Sequence, residues 1–368
     1  MFPMEDAHQH SVSRTSRSEI SSKRKQERRR RMQRRLLPLL MASFLILALA
    51  VWVLAPPTQE GHLGPAILVS TSSSAPTTTT TKAPFQPIPV SPVITPANAG
   101  EGQWAPADTW YPPAPKAPAV MTTTWRPDPS QPSIVAYAVW MRSHTTSLAL
   151  FPGYQGPGAT TLDRGPTQIP SSSQGRLLAS FNSGFYEADS AEGFFTHHTL
   201  YFPMVNNHAT VLSRSDGSVD IVNWTGGASP DASITMARQN LTLLVNDGKP
   251  GAGTDIGSNW GLTLHGVPAV WRTALGVDRA GNLIYASAPA QTAASMAQIM
   301  IQAGAIRAMQ LDINPEWPIY VTYAGPGAQG PSLFIPNPNQ VANRFLYSST
   351  KDFFALYEKF APGADQPW

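Results

Sequence analysis

Three oxygen-bearing side chains, Asp312, Asn314 and Glu316, fall close together in the run MQLDINPEW (309–317). Their i, i+2, i+4 spacing would set all three on one face of a strand, although Pro315 interrupts regular strand geometry directly after. A carboxylate pair such as Asp312 and Glu316 could act as base and nucleophile, with Asn314 as a substrate contact between them. The same oxygens would suit Ca²⁺ or Mg²⁺ if a hard cation bound, but no motif requires a metal or another cofactor. In the bland alternative, Asp312 caps a loop and Glu316 faces water. The apolar Ile313 and Trp317 around them favour a site.

Two further residues join the candidate list as substrate or phosphate contacts. Arg272 opens an otherwise apolar strand, and its planar guanidinium is a fork for phosphate or carboxylate. It could equally pair with Asp312 or Glu316. Asn182 sits at a tight turn after a buried strand, where it could donate to a sugar or phosphate oxygen or serve the turn alone. Glu187, Asp189 and Glu192 follow that turn and read as a loop that could supply an acid. His197, His198 and His208 have no metal-ligand spacing, so a zinc site is not expected. The chain has no cysteine, which excludes disulfides, thiolate metal sites and cysteine nucleophiles. No nucleophile elbow, phosphate-binding loop or dinucleotide fingerprint is present.

The elements that must position these residues read as mixed. Runs at 134–141, 147–153, 176–185, 201–212, 219–222 and 242–245 alternate or are continuously apolar, as strands are. Thr273–Val277 and Leu283–Ser287 flank a Gly-containing turn and predict a hairpin. Thr292 can cap a helix whose buried face is Met296, Ile299, Met300 and Ala303, ended by Gly304. A strand over 306–313 then delivers Asp312 at its end, where sites on α/β sheets collect. Phe353, Leu356, Tyr357 and Phe360 predict a last amphipathic helix within 345–360. The expected fold class is α+β, a mixed β-sheet with flanking helices in one globular domain over residues 133–368.

What precedes that domain reads as apparatus for placing it outside a membrane. Residues 1–35 hold 11 Lys/Arg and 4 Asp/Glu, a net of +7, whereas the whole chain is +3. The rest is therefore mildly acidic at −4, which argues against nucleic acid as a partner. Residues 36–55 are twenty uncharged, mostly apolar positions. At about 1.5 Å per helical residue they match the roughly 30 Å hydrocarbon core. The basic run on one side sets a cytoplasmic N-terminus. Residues 56–132 read as a disordered Pro/Thr/Ser-rich stalk, unusual in carrying Trp104, Trp110, Tyr111 and Trp125. The expected localisation is the cell membrane, single-pass, with an extracytoplasmic C-terminal domain.

Four segments, in order, resemble the phosphodiester glycosidase family. ASFNSGFYE (179–187) resembles its Asn-Gly-Gly-Phe-Phe segment, and LLVNDGKP (243–250) its strand and Asn/Asp-Gly turn. RTALGVDRAGNLIY (272–285) resembles its Arg-Thr-Ala-Ile-Gly-x-Asp hairpin. MQLDINPEW falls where the family has Leu-Asp-Gly-Gly-Gly-Ser. Asn182 and Asp312 are kept, but Ser183 replaces a glycine, and Ile313-Asn314-Pro315-Glu316 replaces the glycine loop. Glycines there would let backbone N–H groups approach a phosphate, and Pro315 has none to offer. DINPEW is thus where function is either retuned or lost.

The resemblance implies hydrolysis of a sugar-1-phosphodiester at the glycosidic bond, in a phosphosugar or a cell-wall glycopolymer or glycolipid, with Arg272 and Asp312 as phosphate and carboxylate groups. The alternative is a non-catalytic wall-binding module on a membrane-anchored stalk. A third reading is a membrane scaffold acting through the Arg-rich tail.

Overall fold

The computed structural model describes residues 86–107, 117–156, 158, 160–186, 192–261, 263 and 267–359. All of them belong to one compact unit, Thr81–Trp368. In chain order the strands are β1 (Ala105–Pro106), β2 (Val120–Trp125), β3 (Ala136–Met141), β4 (Thr146–Phe151), β5 (Leu177–Asn182), β6 (Phe194–Thr196), β7 (Thr199–Phe202), β8 (Ala209–Arg214), β9 (Val219–Asn223) and β10 (Ile234–Gln239). Then come β11 (Leu243–Asn246), β12 (Lys249–Pro250), β13 (Val270–Val277), β14 (Leu283–Gln291), helix α1 (Ala293–Gln302), β15 (Arg307–Gln310), β16 (Tyr320–Thr322), β17 (Ser332–Leu333) and β18 (Phe353–Glu358).

These strands form three sheets, ordered β1-β2-β3-β14-β13-β15-β11-β12, β7-β6-β10-β8-β9 and β17-β16-β5-β18-β4. Every strand pairing among them is antiparallel. One apolar core lies between the sheets, with Val139, Leu275, Tyr285 and Met309 from the largest and Leu150, Phe181, Val211 and Phe354 from the other two. A second core fills the opposite face of the eight-stranded sheet, where α1 packs Met296, Ile299 and Met300 against Ala274 and Ile284.

Local chemistry explains why the central hairpin and helix form where they do. Asp278 Oδ1 accepts from the backbone N–H of Ala280 at 2.8 Å and of Asn282 at 2.9 Å, closing the β13–β14 turn. Thr292 and Ser295 make a reciprocal capping box at the start of α1. The helix can approach the sheet because Gly276 has no side chain: a Cβ there would stand 2.6 Å from Met300 Cε.

The expected α+β class is corrected. The fold is mostly β-sheet, and α1 is the one α-helix among the described residues. The segment expected as a last helix is β18, an interior strand between β5 and β4. Phe353, Ala355 and Tyr357 pack into one core, and Phe354 and Leu356 into another. A short run that is apolar at every position satisfies both periodicities, and its burial decides. Each large apolar side chain buried gains about 1.5–3 kcal/mol. A helix would face some of these five side chains to water.

The folded unit also begins before residue 133. Within the expected stalk, β2 pairs along its whole length with β3. Trp125 Nε1 donates to Gln302 Oε1 at 2.8 Å, at the end of α1, and Trp104 packs against the same core. Trp110 and Tyr111 lie outside the described residues. The single-pass membrane localisation with an extracytoplasmic domain is corrected too. Among the described residues no helix is long and apolar enough to cross a membrane. The expected tail 1–35 and span 36–55 lie outside those residues.

Residues 86–107 are tied to β2 by Glu101, whose carboxylate accepts from Arg126 Nη2 at 2.8 Å and from the Arg126 and Asn98 backbone N–H groups, also at 2.8 Å. Arg126 holds the Glu101 carboxyl down at about 2, against the opposing effect of burial. A carboxyl depressed in the folded state stabilises above its ordinary value of 4.5 and loses that contribution as pH falls through 2. Glu101→Gln is therefore expected to melt several degrees lower than wild type at pH 7, with the two curves converging towards pH 2. Melting curves across pH check this, and equal melting points at pH 7 would exclude the clasp as a stabilising contact.

Candidate functional site

A small cleft is lined by Asn182, Ser183, Asp312, Trp317, Arg344, Lys351 and Asp352, among others. Its walls come from the ends of strands in two sheets. β5 ends at Asn182 and β18 follows directly on Asp352, while the chain leaving β15 stays bonded to β13 as far as Asp312. Leu311 N donates to the Thr273 carbonyl at 2.8 Å, and Thr273 Oγ1 donates to the Asp312 carbonyl at 2.8 Å.

Asn182 joins the two sheets. Its Nδ2 donates to Thr273 Oγ1 at 2.9 Å and to the Ser183 carbonyl at 3.0 Å. Its Oδ1 accepts from Tyr285 Oη at 2.8 Å and from Ile319 N at 3.3 Å. Two donors and two acceptances complete what a carboxamide can offer. Asn182 therefore positions the cleft floor and has no donor left for a sugar or phosphate oxygen.

Asp312 is buried, and both of its oxygens are engaged. Oδ1 accepts from Asn314 N at 2.8 Å, and Oδ2 pairs with the Lys351 ammonium. Burial pushes the Asp312 carboxyl above its ordinary range, while the Lys351 charge opposes that shift. Lys351 Nζ also lies 4.4 Å from the Tyr186 ring centre and 5.3 Å from that of Trp317. Arg344 covers Trp317 at 4.8 Å. Burial lowers the Arg344 pKa. Tyr186 is pushed up to about 12, first by burial and then by the charges of Asp352 and Asp312, so it stays a phenol.

The second carboxylate lining the cleft is Asp352, not Glu316. Asp352 Oδ2 accepts from Arg238 Nε at 2.9 Å, with both side chains fully buried. In the lining itself Arg344 and Lys351 balance Asp312 and Asp352, while Arg238, bonded to Asp352, and Arg164, which feels the Asp352 charge, stand behind and leave the surroundings positive. That balance suits an anionic ligand.

The remaining expected site residues stand elsewhere. Glu316 and Asn314 are exposed. Their loop forms a chain of turns in which Asn314 Oδ1 accepts from Glu316 N at 3.0 Å and Asn337 Nδ2 donates to the carbonyls of Pro315 and Pro318, both at 3.0 Å. The winding brings Trp317 to the cleft and leaves the Glu316 side chain in solvent. Arg272 is buried away from Asp312, and burial draws it down to about 10. Its guanidinium donates to the carbonyls of Gln291 and Trp260 and to Gln310 Oε1. It ties the end of β14 to β15 and to the loop at Trp260.

His197 and His198 have positive φ, 52° and 54°, and form the turn between β6 and β7. His208 pairs with buried Glu192 at 3.0 Å. Among the described residues no group of three or more His, Cys, Asp or Glu could hold a metal ion.

Sequence reasoning missed Arg238, Arg344, Lys351 and Asp352. A signal existed for three of them. Arg238 follows Ile234 and Met236 on one face of the alternating run ITMARQ, and Lys351-Asp352 stands directly before a run of five apolar residues. Charges so placed need buried partners.

No protein-family model matches the chain, and no curated protein does. Among solved structures, it is similar to the catalytic domain of zebrafish N-acetylglucosamine-1-phosphodiester alpha-N-acetylglucosaminidase, auto-inhibited by its pro-peptide. That similarity has 17% identity, 67% of this chain, 86% of that one and a TM-score of 0.44. A hypothetical protein from Synechocystis is similar at 12% identity over 67% of this chain and 64% of its own, with a TM-score of 0.39. At such identity and TM-score the likeness carries no chemistry to this cleft.

Removing Lys351 tests the buried pair. Lys351→Met strands the Asp312 carboxylate and is expected to cost about 3–5 kcal/mol. Adding Asp312→Asn should recover part of that loss. The Lys351→Met deficit should also shrink as pH falls, because protonation relieves an unpaired buried carboxylate. Chemical unfolding of the three variants checks both, and additive losses would mean the two groups do not interact.

Proposed function

We propose that this chain is a hydrolase that cleaves the glycosidic bond of a sugar-1-phosphodiester, carried by a small molecule, a glycolipid or a glycopolymer. One observation supports this reading above the others. The cleft gathers the buried Asp312 carboxylate with the Lys351 ammonium, the Arg344 guanidinium and the Trp317 indole.

The chemistry asks for such a set. A departing phosphate monoester is a weak base and needs less protonation than an alkoxide. The site must hold phosphate charge and stabilise an oxocarbenium-like centre. Arg344 has no carboxylate partner among the described residues, so its charge is available to the phosphate. Lys351 supplies a second cation, aimed by Asp312. Asp312 keeps negative charge close to the anomeric carbon. Trp317 holds both cations against its ring, which keeps them at the cleft.

The full chain should release free sugar and methyl phosphate from a panel of sugar-1-phosphate methyl diesters. Arg344→Met should raise KM about tenfold or more with kcat little changed, a loss of about 1.4 kcal/mol in ground-state binding. Absence of sugar release from every member of the panel would falsify the hydrolase reading. A binding site without turnover is the second reading, favoured by the engagement of both Asp312 oxygens. Saturable calorimetric binding of the diesters without product would support it.

A further inference from the structure

Two buried polar atoms of cleft residues have no hydrogen-bond partner among the described residues, Asp352 Oδ1 and Ser183 Oγ. Both residues are 1% exposed. Buried polar groups are nearly always paired, and a carboxylate oxygen without a donor is a costly exception. The other oxygen of Asp352 is held by Arg238. Arg238 is itself fixed by donating to the carbonyls of Phe185 and Gln239. Gly156 packs closely over this residue: a Cβ there would stand 3.1 Å from both Asp352 N and Oδ1. Each oxygen of Asp312 already has a donor. Of the two carboxylates lining the cleft, only Asp352 has an oxygen with no donor among the described residues.

Resting on the sugar-phosphodiester reading, we infer that Asp352 is the catalytic base, with Ser183 as the second partner of the attacking water. The water donates to Asp352 Oδ1 and is held by Ser183 Oγ. Its oxygen forms a bond to the anomeric carbon while the bond from that carbon to the phosphate oxygen breaks. The electron pair of the broken bond leaves with the phosphate monoester, and the water's proton passes to Asp352 Oδ1. Arg238 orients the base by holding Oδ2. Asp312 stabilises charge without exchanging a proton.

The test uses the full chain and the sugar-1-phosphate methyl diesters. Asp352→Asn should lower kcat by about 10²–10⁴-fold, leave KM within a few-fold and remove the acid limb of the kcat/KM profile. In Asp352→Ala, added azide or formate should restore turnover, with azide giving a glycosyl azide. A carboxylate that only neutralises Arg238 would give neither the pH change nor the rescue. Ser183→Ala, a small change safe for folding, should lower kcat about tenfold. The inference is overturned if wild type turns over and Asp352→Asn keeps more than about half its rate. It is also overturned if Ser183→Ala is fully active and no anion rescues Asp352→Ala. If wild type releases no sugar from any diester, the sugar-phosphodiester reading falls and the base falls with it.

Discussion

The side chain of Asn182 is where two sheets meet, and its geometry constrains everything around the cleft. Its amide bonds to Thr273 and Tyr285 of the eight-stranded sheet, while its own backbone belongs to β5 of the five-stranded one. With both donors and both acceptances in use, the joint has one geometry. Thr273 passes that constraint on, since its hydroxyl binds the Asp312 carbonyl and so fixes the residue that carries the cleft carboxylate. A shift of either sheet would break several buried hydrogen bonds together, each worth about 0.5–1.5 kcal/mol net and more if a group is left unsatisfied.

On this joint the protein places two charged pairs of different character. Arg238 and Asp352 are the more deeply buried pair. Lys351 and Asp312 stand at the cleft, with the cation against two aromatic faces. Buried pairs contribute little net stability over apolar residues of the same shape, because desolvation offsets attraction. Two such pairs on adjacent positions, 351 and 352, make a poor stability device and a well-organised field.

Much of the fold could be read from the sequence. The β13–β14 hairpin, the Thr292 cap and α1 formed as expected because local signals and burial agree there. β18 was misread because a segment buried on both faces carries no period, and that information lives in the sheets on either side. Within the expected stalk, proline-rich composition hides the alternating pattern of β2, in which Thr122 and Thr124 face partly outward and Thr123 is buried. Of the residues lining the cleft, Asp312 and Asn182 stand out in the sequence by local pattern and resemblance, although Asn182 spends its amide on the protein rather than on a ligand. Arg272 and Glu316 stand outside the cleft lining for opposite reasons. One has neutral acceptors on every side, and the other is turned to solvent by the Asn314 turn. Arg238 and Asp352 are separated by 114 residues, and no local pattern links them.

The position of β18 in its sheet has a consequence for the chain during synthesis. It lies between β4 and β5, so those two strands, far earlier in the sequence, have no direct pairing with each other. Until residues 353–358 have been made, both strands present an open edge able to pair with another chain. The residues immediately before them, Lys351 and Asp352, complete the cleft. Closure of the sheet and completion of the cleft are thus a single late event, and a nascent chain carries neither.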